Sequence, residues 1–285
     1  ACYAAKEKAR FRVQIFRQDN LEVAQRHVAT QWVSRISHAL EENRFVLYAQ
    51  TIAPLDEAQE RHCEILLRML DEEGKLVPPI DFIPAAERYN LMPAIDRWVI
   101  HNGLAYIGKY LREHPNRPGM VFGINLSGAS MGEENLDHFI SEQLVLYRVP
   151  PQLVCLEVTE TAAVANLDQA ATLIKSLRAK GCRFALDDFG SGLSSFRYLK
   201  ILPVDYLKID GAFVKDMVDD PVDYAMVQAI NTVGHVMGIK TIAEYVENNA
   251  ILERLRELGV DYAQGYGIHK PCPMEQWLAG RCGVD

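Results

Sequence analysis

Apolar and polar positions follow two rhythms along the chain. From Leu21 to Glu42 no Pro or Gly interrupts the sequence. Trp32, Val33, Ile36 and Leu40 recur there at helical spacing between Arg, Glu and His, which predicts one linking helix over residues 21–44. Beyond Asn43, short apolar runs take turns with amphipathic stretches. The runs predict strands near 45–52, 62–69, 120–126, 153–158, 182–187, 204–208, 239–243 and 261–264. The amphipathic stretches predict helices near 91–112, 135–147, 166–180, 220–237 and 248–258, with a shorter one around 194–200. Such alternation implies a parallel sheet with right-handed crossovers. Eight strands in about 240 residues is the count and size of a (β/α)8 barrel. Only residues 53–61 separate the first two strands, too few for a crossover helix, so an antiparallel pair is expected there. The expected fold class is α/β, a modified TIM (β/α)8 barrel over residues 45–285 with one antiparallel strand.

Composition narrows the partners. The 285 residues are 49% apolar and 24% charged, ordinary for a globular protein, and enough to bury a full core. A formal net charge of -8 argues against duplex nucleic acid as a partner. A phosphate ligand stays open, because carboxylates that hold divalent cations make a site attractive to anions. No apolar run approaches the roughly 18 residues needed to span a bilayer, and no secretory leader is visible, so no membrane contact is expected of this stretch. The six cysteines, Cys2, Cys63, Cys155, Cys182, Cys272 and Cys282, contain no Cys-x-x-Cys pair. They read as reduced thiols in a cytoplasmic setting, with Cys155 and Cys182 as small buried hydrophobes. The eight histidines show no metal-ligand spacing, and His269 reads as structural.

The candidate chemistry centres on Phe184-Ala185-Leu186-Asp187-Asp188-Phe189-Gly190-Ser191-Gly192, an apolar strand ending in two adjacent carboxylates and a glycine-rich loop. Paired carboxylates repel each other and are costly to bury without a cation. Barrel enzymes gather their reactive groups at the C-terminal ends of strands. Other predicted strands end in the same way: Glu64 and Arg68, Asn125, Glu157 followed by Glu160, Lys208, Glu244 and Gln264. Any one could be a surface residue, but the repetition across six strands points to a shared site. Their hard oxygen donors suit Mg²⁺ or Mn²⁺ rather than zinc. Five carboxylates and a carboxamide exceed what one Mg²⁺ takes from protein. Two cations about 4 Å apart would use them all, activating water and stabilising charge on a phosphoryl group. Lys208, at a strand end in an otherwise apolar run, could hold that water or stabilise developing charge.

Together Glu64-Ile65-Leu66-Leu67-Arg68, Asn125-Leu126-Ser127, Glu157-Val158-Thr159-Glu160, Asp187-Asp188-Phe189-Gly190, Leu207-Lys208-Ile209-Asp210, Ala243-Glu244-Tyr245-Val246-Glu247 and Gln264-Gly265-Tyr266 resemble the EAL family, cyclic di-GMP phosphodiesterases on a modified (β/α)8 barrel. Ile65 stands where that family has alanine, at a position that is not a ligand. The resemblance implies one metal held by Glu64, Asn125, Glu157 and Asp187, and a second held by Asp187, Asp188 and Glu244. It makes Glu64, Glu244 and Lys208 the catalytic residues and gives Gln50, Arg68 and Gln264 contacts to substrate or water. Glu160 would anchor the loop 188–195, with Asp210 and Glu247 as supports. Hydrolysis of cyclic di-GMP to linear 5′-pGpG, inhibition by Ca²⁺ and a homodimer are the implied consequences. The alternative is a catalytically weak or inactive EAL domain acting as a cyclic di-GMP receptor; such domains typically lack a ligand that is present here. The opening stretch, Ala1-Cys2-Tyr3-Ala4-Ala5-Lys6-Glu7-Lys8-Ala9-Arg10-Phe11-Arg12-Val13, resembles the end of a GGDEF domain, with Ala9 and Phe11 where Gly and Asn are usual. A remnant of such a domain over residues 1–20, cut from a longer multidomain protein with a membrane anchor elsewhere left open, is the expectation.

Overall fold

The computed structural model describes residues 21–56, 58–115, 119–190, 192 and 196–282, with side chains from residue 31 onward. The stretch 1–20, with its resemblance to a GGDEF terminus, lies outside the described residues. Two compact units make up the rest.

The described residues of the first unit are 21–46 and 68–92. Its described part contains helix α1 (Leu21–Glu41), the start of strand β1 (Phe45–Pro54), the end of β2 (Arg61–Leu70), β3 (Leu76–Val77) and helix α2 (Pro79–Arg88). Helix α1 packs on α2, with Ile36, Ala39, Phe82 and Ala86 fully buried and the Phe45 ring 5.9 Å from Phe82. Strand β3 runs antiparallel to β2, pairing Val77 with Met69. Neither β3 nor α2 is anticipated by the apolar pattern. A two-residue strand carries no period, and Pro78, Pro79 and Pro84 read as breakers. Pro79 occupies the first helical turn, where its missing N–H has no intrahelical partner to lose.

The second unit comprises residues 47–67 and 93–285. Along it follow α3 (Met92–Glu113), β4 (Met120–Asn125), α4 (Gly128–Met131), α5 (Leu136–Tyr147), β5 (Val154–Thr159), α6 (Glu160–Ala165), α7 (Leu167–Ala179) and β6 (Arg183–Phe189). Then come β7 (Tyr206–Ile209), α8 (Gly211–Val214), α9 (Pro221–Val236), β8 (Lys240–Ala243), α10 (Asn249–Leu258), β9 (Tyr262–Ala263), β10 (Cys272–Pro273) and α11 (Met274–Leu278). The sheet order β1-β9-β8-β7-β6-β5-β4-β2, with β1 also paired to β2, closes a ring of eight strands. Strands β2 and β4 to β9 run parallel. β1 alone opposes them, pairing Ala53 with Ala263. The expected antiparallel strand is therefore β1. Its direction follows from the short connection to β2, which leaves no room for a crossover.

The helices bury the faces their periodicity predicts. Helix α7, for instance, turns Ala170, Ile174 and Leu177 inward. The expected helix near 194–200 is instead a 3-10 turn at Tyr198–Lys200, with residues 193–195 outside the described set. No helix among the described residues is long and apolar enough to cross a membrane. One expectation is corrected. Cys272 and Cys282 form a disulfide, while Cys63, Cys155 and Cys182 are free and buried. Helix α11 turns the chain back so that Cys282 meets β10, a proximity that a spacing of ten residues does not reveal.

Candidate active site

A single layer of the barrel interior sets the site. Ile52, Val121, Cys155, Ala185, Tyr206, Ile242 and Tyr262 form an apolar cluster contributed by seven strands. Side chains alternate faces along a strand, so the residue two positions on returns to the same side. Two positions beyond Cys155, Ala185, Tyr206, Ile242 and Tyr262 stand Glu157, Asp187, Lys208, Glu244 and Gln264. Two beyond His62 stands Glu64, registered against Gly123 of β4. The reversed strand β1 contributes Gln50, two positions before Ile52. The apolar layer thus fixes a polar layer one pleat above it.

Lys208 occupies the middle of that layer. Its Nζ lies 2.8 Å from Glu157 Oε2, 2.8 Å from Glu244 Oε1, 3.1 Å from Asp187 Oδ1 and 3.5 Å from Glu64 Oε2. The lysine is 1% exposed and Glu157 2%. An ammonium has three protons, so it cannot satisfy four carboxylates, and its single charge leaves a surplus of negative charge in a low-dielectric interior. Titration follows from that surplus. Burial resists the ammonium charge, but the surrounding carboxylates outweigh it and hold Lys208 well above its ordinary range. Burial also opposes ionisation of Glu64, yet Lys208 and hydrogen bonds from Gln264 and Asn125 hold its carboxyl below the usual value. Burial and neighbouring carboxylates push Glu157 and Glu244 each up to about 8, against the pull of Lys208.

Amides complete the layer. Asn125 Nδ2 donates to Glu64 Oε1 at 2.6 Å, and Gln264 Nε2 donates to Glu64 Oε2 at 2.6 Å and to Gln50 Oε1 at 3.0 Å. Gln50 Nε2 in turn donates to the His269 carbonyl at 2.9 Å. Asn125, at the tip of β4, stands just before a turn locked by Asp96. That buried carboxylate accepts from Ser127 N at 2.9 Å, and from Ser127 Oγ and Ser130 Oγ at 2.6 Å each.

Strict alternation would send Asp187 and Asp188 to opposite faces. The β6–β7 register shifts between Leu186 and Phe189, and Asp188 takes a left-handed backbone at φ 52°. That irregularity re-aims the side chain. One carboxylate oxygen each from Asp187, Asp188 and Glu244 then lie within 4.8 Å of one another, a spacing suited to a shared cation. Burial, with Asp187 and Asp210 nearby, raises the Asp188 carboxyl above its ordinary value.

Around this centre, Glu160 is 2% exposed although it opens helix α6. Its Oε2 accepts from Gly190 N at 2.8 Å and its Oε1 from the Tyr198 hydroxyl, so it ties both described ends of the loop after β6. Asp210 caps α8 by accepting from Ala212 N at 2.8 Å. Glu247 lies exposed, and among the described residues no hydrogen bond or ion pair joins it to the cluster. Arg68 falls in the first unit and is partly exposed. Two contributors are absent from the sequence reading. Asp96 gives no signal of its own inside a helical pattern. Gly123 does give one, since glycine inside a strand marks close approach. A Cβ there would meet Glu157 Oε1 at 1.9 Å.

Acidic groups gathered in this way could hold a cation. The EAL domain family model matches residues 33–271. Cyclic di-GMP phosphodiesterase PdeB of Shewanella oneidensis is 42% identical over 281 residues, covering 97% of this chain and 32% of PdeB. Cyclic di-GMP phosphodiesterase PdeF of Escherichia coli is 37% identical over 242 residues, covering 85% of this chain and 32% of its own length. This chain therefore spans about a third of the length of these curated relatives. Among solved structures, a c-di-GMP complex of the PaMucR phosphodiesterase superposes with a TM-score of 0.81 at 32% identity, covering 87% of this chain and 99% of the other.

Proposed function

Since the chain belongs to the EAL domain family, we propose that it hydrolyses cyclic di-GMP to linear 5′-pGpG with two divalent cations. The observation that carries this reading is the imbalance of charge: five carboxylates, Glu64, Glu157, Asp187, Asp188 and Glu244, converge about one buried ammonium. The groups there that could ligate a metal are carboxylate and carboxamide oxygens, which fits Mg²⁺ or Mn²⁺. Glu64, Asn125, Glu157 and Asp187 would hold one ion, and Asp187, Asp188 and Glu244 the other. The ions would supply charge to the phosphate and lower the pKa of the attacking water.

The chain's own groups do the rest. Lys208 Nζ, fixed by four carboxylates, offers a preorganised positive charge where the water and the developing phosphorane charge would sit. Gln264 and Gln50 form an amide relay that orients Glu64 and presents polar atoms to substrate. Water attacks phosphorus in line, the bond to a 3′ oxygen breaks, and one linear dinucleotide leaves.

The test is incubation of the chain with cyclic di-GMP and Mn²⁺, with chromatography of the products. A single peak of 5′-pGpG is expected from the wild type and none from Glu64→Ala. Ca²⁺ should support binding with little turnover, as its looser coordination misplaces the attacking water. Tight binding without any turnover in Mn²⁺ would favour the receptor reading. The FimX EAL domain of Pseudomonas aeruginosa, 31% identical with a TM-score of 0.78 over 89% of this chain and 98% of its own, has been solved bound to c-di-GMP.

A further inference from the structure

A second group of metal-type ligands lies beyond the last barrel strand. His269, Cys272 and Cys282 each offer a ligand atom within 4.8 Å of the other two. His269 is 6% exposed, and its Nδ1 has no hydrogen-bond partner among the described residues. A buried imidazole nitrogen left unpaired costs free energy unless something occupies it. Two sulfurs and an imidazole are soft to borderline donors, unlike the all-oxygen set around Lys208, and they suit zinc.

We propose that the reduced Cys272–Cys282 pair and His269 form a site for one Zn²⁺, which the disulfide seen here excludes. Bonded sulfurs are not thiolates and cannot coordinate. Reduction by a dithiol or phosphine adds two electrons and two protons and breaks the S–S bond. Zinc then displaces both protons, giving two thiolates and one imidazole around the ion with a fourth position open to water. Tetrahedral zinc needs its sulfurs roughly 3.8 Å apart, for bonds of about 2.3 Å. The backbone can supply that, with the two Cα atoms 6.4 Å apart. The site is also mechanically tied to the barrel. Cys272 pairs with Ala49 of β1, and the His269 carbonyl accepts from Gln50, whose amide partner Gln264 bonds Glu64.

Cobalt reports the site separately from the carboxylate centre, because thiolate coordination gives a near-ultraviolet charge-transfer band that carboxylates do not. The full chain is reduced with a phosphine, saturated with Mg²⁺, and titrated with Co²⁺ and then Zn²⁺ without oxygen. One equivalent of thiolate-bound cobalt is expected, displaced by one equivalent of zinc. The band should vanish in Cys272→Ser and Cys282→Ser, and the cobalt affinity should fall at least tenfold in His269→Ala. Diamide-oxidised wild type, which keeps the disulfide and the fold, should show no band. Absence of the band from reduced wild type would overturn the proposal. So would its persistence in oxidised protein or in a folded Cys272→Ser, which would place the cobalt on other cysteines.

Discussion

Glu157 lies across the face of Gly123, leaving no room for a methyl group on β4. Gly123→Ala should therefore push the carboxylate out of the cluster. A displacement near 1 Å in a reacting site costs about a hundredfold in rate, so turnover should fall by about that factor with an unchanged circular dichroism spectrum. Wild-type turnover would show that Glu157 can move without consequence. A titration of another kind belongs to the apolar layer itself. His62 is wedged 4.4 Å from the Tyr262 ring and 4.9 Å from Tyr206, and its Nε2 has no hydrogen bond among the described residues. Burial, helped by Arg183, pushes its pKa down to about 3. The unfolded chain takes up a proton near 6.5 and the native one does not, so stability falls as the pH drops from about 6.5 towards 3, by at most about 1.4 kcal/mol per pH unit. His62→Phe removes that contribution. Urea unfolding at about pH 7 and pH 5 should show a shallower acid loss in the variant. Equal losses would mean that His62 does not stay neutral. Carboxylate effects are common to both proteins and cancel in the comparison.

At the scale of elements, two short segments hold the site in place. The turn after β4 depends on Asp96, whose carboxylate accepts three hydrogen bonds from Ser127 and Ser130. Asp96→Ala should cost about 2–4 kcal/mol, because two hydroxyls and an amide lose their charged acceptor. A urea midpoint within error of wild type would contradict that account. The loop after β6 depends on Glu160, which holds Gly190 at one end and Tyr198 at the other. Glu160→Ala should release Asp188 from its re-aimed position and raise the Mn²⁺ concentration for half-maximal activity about tenfold or more. Unaltered metal dependence would separate the loop from the cation site. These elements also show where sequence reading succeeds. Long amphipathic helices and buried strands carry enough residues to display a period, and α3, α5, α7, α9 and α10 lie close to their expected positions. β3 and β10 are two residues each, and α2 hides behind its prolines. The irregularity that brings Asp188 beside Asp187 is a matter of backbone register, and no residue type announces it.

For the molecule as a whole, cation binding at the carboxylate cluster would be linked to folding. The unpaired negative charge around Lys208 weakens the folded state, and cations that bind only that state stabilise it by mass action. At a hundred times the dissociation constant the gain is about 2.7 kcal/mol. Thermal unfolding of the chain should therefore shift upward in Mn²⁺ and return on chelation, and Asp187→Asn should abolish most of the shift. An identical shift in that variant would mean the ions bind elsewhere. The barrel, its reversed strand and the catalytic candidates could all be read from order along the chain. Alternation with period two, run out from an apolar layer, is a local rule and survives without coordinates. Closure of the ring was of another kind. It set Lys208 among carboxylates from four separate strands, slid Glu157 over Gly123, and carried Cys282 back to Cys272 and His269. Those are distances between residues far apart in sequence, and only the packing of one strand against the next could determine them.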